Sequence, residues 1–253
     1  MLLADLATQR HLSFAVHPSL LDSTLGRVPL RAGQAYSFLK DALLAGEYKA
    51  GQRLPVGAIA SRIGASRQPV MDAIRRLAGE GLVQVIPQVG TIVSTVTPEE
   101  VRDFFGFFAE AEGRFCEVAA ERATESELAA LRKEVDRFEA EQLCEANPRK
   151  LAGMYRLHNR TFHSIIHQMA RSPLFHQTIV TLWDKADFYI NTLTRGEPFV
   201  TRQEDSVSEH REIVQALSAR NGPVARKHVV THINAFAKLI TADVPSPVEH
   251  RSV

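Results

Sequence analysis

The sequence predicts a mainly α-helical protein in two parts: an N-terminal module of three helices closed by a β-hairpin, and a C-terminal all-helical antiparallel bundle of about six helices. Three observations predict it. Two short helical stripes separated by a tight turn lie between Leu54 and Leu77, and two β-branched runs follow them around a Pro-Gln-Val-Gly turn. From Thr97 onward, helix-start signals recur with no β pattern between them.

Taken in order, residues 1–29 have no sustained period and contain His17-Pro18, Gly26 and Val28-Pro29, which reads as an arm. Residues 31–44 place Ala35, Phe38, Leu39, Ala42 and Leu43 on one helical stripe, ended by Gly46. Residues 49–53 turn the chain and leave Arg53 free to touch a phosphate or simply to face solvent. Val56, Ile59, Ala60 and Ile63 form a second stripe that stops at Gly64, and Val70, Ala73, Ile74 and Leu77 form a third. Ser66 is placed to cap that third helix by accepting a free backbone N–H, and Pro69 falls in the first turn, where a missing N–H does no harm. Gly81 ends the helix, and residues 82–86 and 91–96 flank the turn from Pro87 to Gly90. A hairpin directly after such a helix pair is a wing, so residues 30–96 read as a winged helix-turn-helix.

In that arrangement the tip of the third helix meets base edges in the major groove of DNA. Arg67 can present two donors to guanine, and Gln68 can pair with adenine. Ser66 and Arg75 stand on the same helix, and Arg53 with the wing tip from Gln88 to Gly90 falls to the backbone or minor groove. On spacing alone the same residues read equally well as a solvated helical hairpin. The charge distribution supports the first reading: residues 31–95 carry eight Lys or Arg against four Asp or Glu, whereas 96–253 carry twenty against twenty-three.

Thr97-Pro98-Glu99-Glu100 combines a capping Thr, Pro at the first helical position and Glu at the third, and opens a second domain over residues 97–245, with 246–253 as a tail. Further starts follow at Thr124-Glu125-Ser126-Glu127, Asn147-Pro148, Ser172-Pro173, near Phe199 to Asp205, and at Asn221-Gly222-Pro223. Phe104, Phe105, Phe107, Phe108 and Phe115 crowd the first of these helices over more than one face, which leaves part of the stripe for a dimer seam or a ligand wall. The two cysteines, Cys116 and Cys144, have no CxxC spacing and read as buried free thiols. No apolar run approaches a membrane span and the N-terminus lacks the pattern of a secretory signal, so the expected location is the cytoplasm.

Eight of the ten histidines lie beyond residue 96. Asn159, His163 and His167 share one helix face, His210 lies on a later helix, and His232 on the next with His228 four residues before it. Neutral imidazoles from three helices can bind a borderline divalent metal. Helical histidines satisfied by hydrogen bonds inside a core are the other reading, and His158 and His176 are assigned to it.

Together the two halves resemble a known family. Gly51 to Leu54, Ala65-Ser66-Arg67-Gln68-Pro69-Val70 and the run from Arg75 to Val83 resemble the winged domain of GntR-family bacterial regulators. Ala120 to Thr124, Asn159-x-x-x-His163, Glu209 to Ile213 and His232 are similar to the FCD effector domain of the FadR-like branch. The resemblance implies a metal held by Asn159, His163, His210 and His232, with zinc expected first and nickel or manganese as alternatives. It also implies a small carboxylate effector near that metal, a double-stranded DNA operator, and a homodimer. The chain departs from the family pattern at four places. Asn159 stands where Asp is commoner, and Met71 and Gly57 where DNA-contacting side chains are usual. Phe108 stands where many relatives carry an effector-binding Arg, which points to a less acidic or more apolar ligand.

The expected function is a ligand-responsive transcription regulator, a repressor or an activator with repression expected first, and not an enzyme. A metal-dependent enzyme built on the histidine bundle and a constitutive DNA-binding dimer are the rival readings. No HExxH-like arrangement or nucleophile motif supports the former.

Overall fold

The computed structural model describes residues 30–194 and 202–243. The expected arm and tail, and part of the helix start near Phe199, lie outside them. The chain is mainly helical, with nine helices and a two-stranded sheet among the described residues. In order these are α1 (Leu30–Leu44), α2 (Val56–Arg62), α3 (Arg67–Gly79), β1 (Val83–Ile86), β2 (Gly90–Val93), α4 (Pro98–Arg122), α5 (Glu125–Gln142), α6 (Pro148–Ala170), α7 (Pro173–Thr194), α8 (Gln203–Ser218) and α9 (Gly222–Asp243).

The N-terminal module closes around one apolar cluster. Leu39 and Leu43 of α1, Ile59 of α2, and Val70, Ile74 and Leu77 of α3 meet Leu82, Val83 and Val93 of the hairpin. β1 and β2 pair antiparallel, Val83 opposite Val93 and Ile86 opposite Gly90, so their alternate side chains reach the helices. Both strands are shorter than the β-branched runs: after Val93 the backbone turns toward α4, and Ser94 N–H bonds to Leu82 O.

The six helices α4 to α9 form the bundle. Thr97 and Thr124 each close a capping box, with Glu100 and Glu127 reaching back to the cap N–H, as their spacing predicts. α4 packs along α9 and α6, and α5 against α6 and α8. Gly113 permits a close approach of α4 to α9: a Cβ there would stand 2.8 Å from Val230 Cγ2 and 2.9 Å from Arg226 Cγ. Cys116 is buried as expected, but Cys144 is exposed. It follows α5 in a turn outside the apolar stripe, where the helical pattern no longer dictates burial.

α7 joins the two modules. Its Phe188 is 1% exposed within the N-terminal cluster, and Asn191 Nδ2 donates to Leu44 O at 2.8 Å. Gly46 turns the chain at φ +69°, and a Cβ there would meet Asn191 O at 2.7 Å. Lys40 of α1 reaches Glu80 at 2.9 Å and Asp184 of α7 at 2.7 Å. Arg160 of α6 holds the other oxygen of Asp184 and also Asp187, both at 2.8 Å.

Candidate nucleic-acid face and metal centre

α3 begins as the sequence requires, with Ser66 extended (φ −74°, ψ 171°) and Pro69 within the first turn, but the Ser66 hydroxyl makes no capping hydrogen bond. The expectation of a side-chain cap is corrected here: the extended backbone and Pro69 start the helix, and the exposed Ser66 hydroxyl takes no part in capping it. Ser66, Arg67 and Gln68 are all exposed. Gln68 Nε2 donates to Asp72 Oδ1 at 3.2 Å, and Arg75 pairs with the same carboxylate oxygen. The Arg67 guanidinium lies across Gly57, where a Cβ would stand 3.5 Å from Nη2. A larger residue at position 57 would compete for that space, so the departures at Gly57 and Met71 read differently: the first makes room for Arg67, and the second packs partly buried on the module's core.

The wing carries the remaining candidates. Gln88 has φ +64° and is exposed, and Gly90 has φ +111°. Arg53 pairs by its backbone with Ile92, and its guanidinium crosses Gly90, where a Cβ would stand 3.1 Å from Nε. The strand pairing thus brings Arg53 and Gly90 together, which sequence distance alone does not suggest.

In the bundle, His163 of α6, His210 of α8 and His232 of α9 bring one ring nitrogen each within 4.8 Å of one another, all three buried. Asn159, one turn before His163, is 6% exposed. Asn159 Oδ1, His163 Nε2 and His210 Nε2 are buried without a hydrogen-bond partner among the described residues. Orphaned buried acceptors cost free energy, and a cation is the partner that such a set of lone pairs accepts.

Two carboxylates orient the rings. Glu112 of α4, fully buried, accepts from His163 Nδ1 at 2.9 Å, His167 Nε2 at 2.7 Å and Trp183 Nε1 at 2.7 Å. Glu209 accepts from His232 Nδ1 at 2.7 Å and is itself held by Arg202. A carboxylate on Nδ1 fixes the tautomer and leaves the Nε2 lone pair for a metal. The His210 ring instead stacks on Phe162 with centroids 4.0 Å apart.

The electrostatics agree with that role. Burial pulls the His163 imidazole down to about 4, outweighing the Glu112 carboxylate beside it, and burial also lowers His210 well below its usual range. Both rings are therefore neutral at pH 7, the form a metal takes. Burial pushes the Glu112 carboxyl up, but His167 and His163 override it and hold it below the usual carboxylate range. One amide oxygen and three imidazoles suit a borderline divalent cation. A gap of about 20 Å³ beside Asn159 and His232, walled by Phe105, Phe108, Trp183 and Phe236, has room for about one water.

His167 shares the face of His163 yet serves Glu112 rather than joining the other rings. His158 lies between Glu134 at 2.7 Å and Glu141 at 2.8 Å, and His228 pairs with Glu212, so neither belongs to the cluster. Reading the sequence alone missed Glu112, Trp183 and Arg202. Glu112 leaves a usable signal: it occurs on the same apolar face of α4 as Phe105, Phe108 and Cys116, where a charge needs a buried partner.

The sequence profile of the bacterial regulatory proteins of the gntR family matches residues 31–93, and the FCD domain profile matches residues 110–235. The HTH-type transcriptional regulator YdhC of Bacillus subtilis (strain 168) is 26% identical over 201 residues, covering 79% of this chain and 87% of its own. The HTH-type transcriptional repressor GlaR of Escherichia coli (strain K12) is 25% identical, covering 78% of this chain and 92% of its own. In fold, the chain is similar to E. coli McbR/YncC, with a TM-score of 0.70 at 21% identity over 84% of this chain and 97% of that one. A GntR regulator structure from Rhodococcus sp. RHA1 gives a TM-score of 0.67 at 19% identity over 85% of this chain and 100% of that one. Among the described residues no helix is long and apolar enough to cross a membrane. The families and relatives matched are transcription regulators, not enzymes, and the chain belongs to the GntR family, with an FCD effector-binding domain at its C-terminal end.

Proposed function

We propose that this regulator represses transcription in the cytoplasm by binding a pseudo-palindromic operator as a homodimer, released or tightened by a small ligand at a metal held in the bundle. The observation that carries the DNA reading is the exposed tip of α3, where Ser66, Arg67 and Gln68 project from the helix start with Arg75 behind them. Arg67 supplies a bidentate donor pair to a base edge, while Arg53, Gln88 and Gly90 place the wing along the backbone.

In the bundle, Asn159, His163, His210 and His232 would hold a divalent cation, zinc first by the softness of the donor set, with nickel or manganese as alternatives. When bound, the metal supplies a Lewis-acid anchor for an oxygen of the effector, a carboxylate in the simplest case. Phe108 and Trp183, edge to face with centroids 5.0 Å apart, close the gap beside the site. An effector larger than water must displace them, and since they belong to α4 and α7 that displacement reaches the helix that enters the N-terminal core. It alters operator affinity only through its different affinity for the two arrangements.

The test is operator binding by gel shift at fixed salt. Arg67→Ala is expected to cost about 1–3 kcal/mol and to relax preference at one base position. An unchanged isotherm removes Arg67 from the interface.

A further inference from the structure

α3 sorts its residues by face. Val70, Ala73, Ile74 and Leu77 are buried in the module's core, while Gln68, Asp72 and Arg75 follow one another at intervals of four and three residues along the outer side. Arg76, next in sequence, leaves that stripe and lies over the Tyr36 ring, 3.8 Å from its centroid. The outer stripe therefore carries a carboxylate among groups that face a polyanion. An acid there weakens attraction to every duplex alike, so what it contributes to an operator-binding face is discrimination.

Asp72 Oδ1 is approached from both sides. Gln68 Nε2 donates to it at 3.2 Å, and Arg75 Nη2 donates to the same oxygen. A carboxylate only accepts, so it settles which end of the Gln68 amide turns toward it. Nε2 gives Asp72 one hydrogen and keeps the other, beside an Oε1 that makes no hydrogen bond among the described residues. One donor next to one acceptor, in a set order, is the pattern that pairs with N7 and the N6 amino group of adenine. Without the carboxylate the amide presents either order and matches adenine in only one of them. Arg75 meanwhile has its charge balanced by Asp72, whereas Arg67 has no carboxylate partner among the described residues. The face thus combines one unbalanced cation with one oriented amide.

We infer that Asp72 is a specificity-determining residue of this face. Through Gln68 it selects adenine at one position of each half-site, and through Arg75 it withholds a cation from the phosphates of unrelated sequence. It is a positioning residue and touches no base itself. The side chains of Asp72 and Arg75 are 40% and 61% exposed, so the pair adds little to the stability of the fold. The inference rests on the operator reading above and names the residue that sets base choice within it.

Selection of binding sites from random-sequence duplexes by the full chain, followed by isotherms over a range of salt, tests it. The wild type is expected to recover a consensus containing one adenine per half-site that Gln68→Ala no longer selects. Asp72→Ala is expected to lower the preference at that same position by about tenfold, with helix content unchanged by circular dichroism. It is also expected to bind mixed-sequence duplex more tightly, with the logarithmic salt slope steeper by about one. Asp72→Asn, whose amide both donates and accepts, is expected to follow Asp72→Ala, and Asp72→Glu to restore the preference. Full preference for adenine in Asp72→Ala would overturn the orienting role, and an unchanged salt slope the withholding role. Loss of a cytosine preference at a position that Gln68→Ala leaves intact would give Asp72 a base of its own and overturn its role as a positioning residue. A wild type that recovers no consensus fails the operator reading and this inference with it; a wild-type consensus that Asp72→Ala leaves unmoved fails this inference alone.

Discussion

The two candidate sites of this molecule are built on opposite plans. On the N-terminal module, Ser66, Arg67 and Gln68 are exposed, and among the described residues Asp72 is a side-chain partner shared by Gln68 and Arg75. In the bundle, Asn159, His163, His210 and His232 are buried, two of the rings are oriented by carboxylates and a third is stacked on Phe162. On the function proposed above, the difference follows from the ligands. A duplex is a large anion that brings its own geometry, so side chains facing it gain by remaining adjustable until contact. A metal ion offers no geometry beyond its coordination preferences, so the protein fixes the donors beforehand and bears the desolvation in its own core.

That contrast predicts that disturbing the bundle site costs far more than disturbing the head. His163→Ala is expected to abolish retention of divalent metal through dialysis, and elemental analysis equal to wild type would reject the assignment. Glu112→Gln keeps the shape but removes the charge that holds two histidines; it is expected to weaken zinc binding by about 10–100-fold and to lower stability by about 3–5 kcal/mol, measured by competition with a chelator and by urea unfolding. Both costs exceed that expected of Arg67→Ala, which should leave the unfolding midpoint where it is. A destabilised Arg67→Ala would show that the head, too, is preorganised.

The joint between the modules comes next in size. Gly46→Ala forces a side chain into the left-handed region and toward Asn191 O, and is expected to cost about 2 kcal/mol in urea unfolding. The smallest effect concerns α5 and α6. His158 sits between Glu134 and Glu141 with Arg137 alongside; burial lowers its affinity for a proton, but the two carboxylates override this and its pKa is raised. Its contribution is therefore fully present below the free imidazole value of about 6.5 and is lost as pH rises through the raised value. Glu134 runs the other way: burial raises it, His158 and Arg137 lower it further, and its contribution is present above the ordinary Glu value and lost on acidification. The urea midpoint is expected to fall on the alkaline side in wild type and to lose that dependence in His158→Gln.

Much of this architecture is legible in the residues because local chemistry and tertiary role coincide. Thr97 and Thr124 cap the helices their Glu partners announce, the apolar stripes of α1 to α3 face one core, and the spacing of His163, His210 and His232 anticipates three helices meeting. The less legible features are those that depend on a partner distant in sequence. Glu112 reads as one more helix carboxylate until His163, His167 and Trp183 close on it from 51 to 71 residues away. The Ser66 cap fails for the converse reason: its residue type and extended backbone are right, but the hydroxyl makes no hydrogen bond to the free N–H groups. Cys144 fails because a helical period does not persist through a turn.

Phe188 adds a constraint on how the molecule can be dissected. Because this ring from α7 fills a slot among Leu39, Leu43 and their neighbours, the N-terminal module does not own its whole interior. A fragment ending after the wing would carry a hole the size of a phenyl group, a defect of about 3–5 kcal/mol in a module this small. The reading head is thus a tenant of the bundle, and any ligand that loosens α7 withdraws part of the floor on which the head stands.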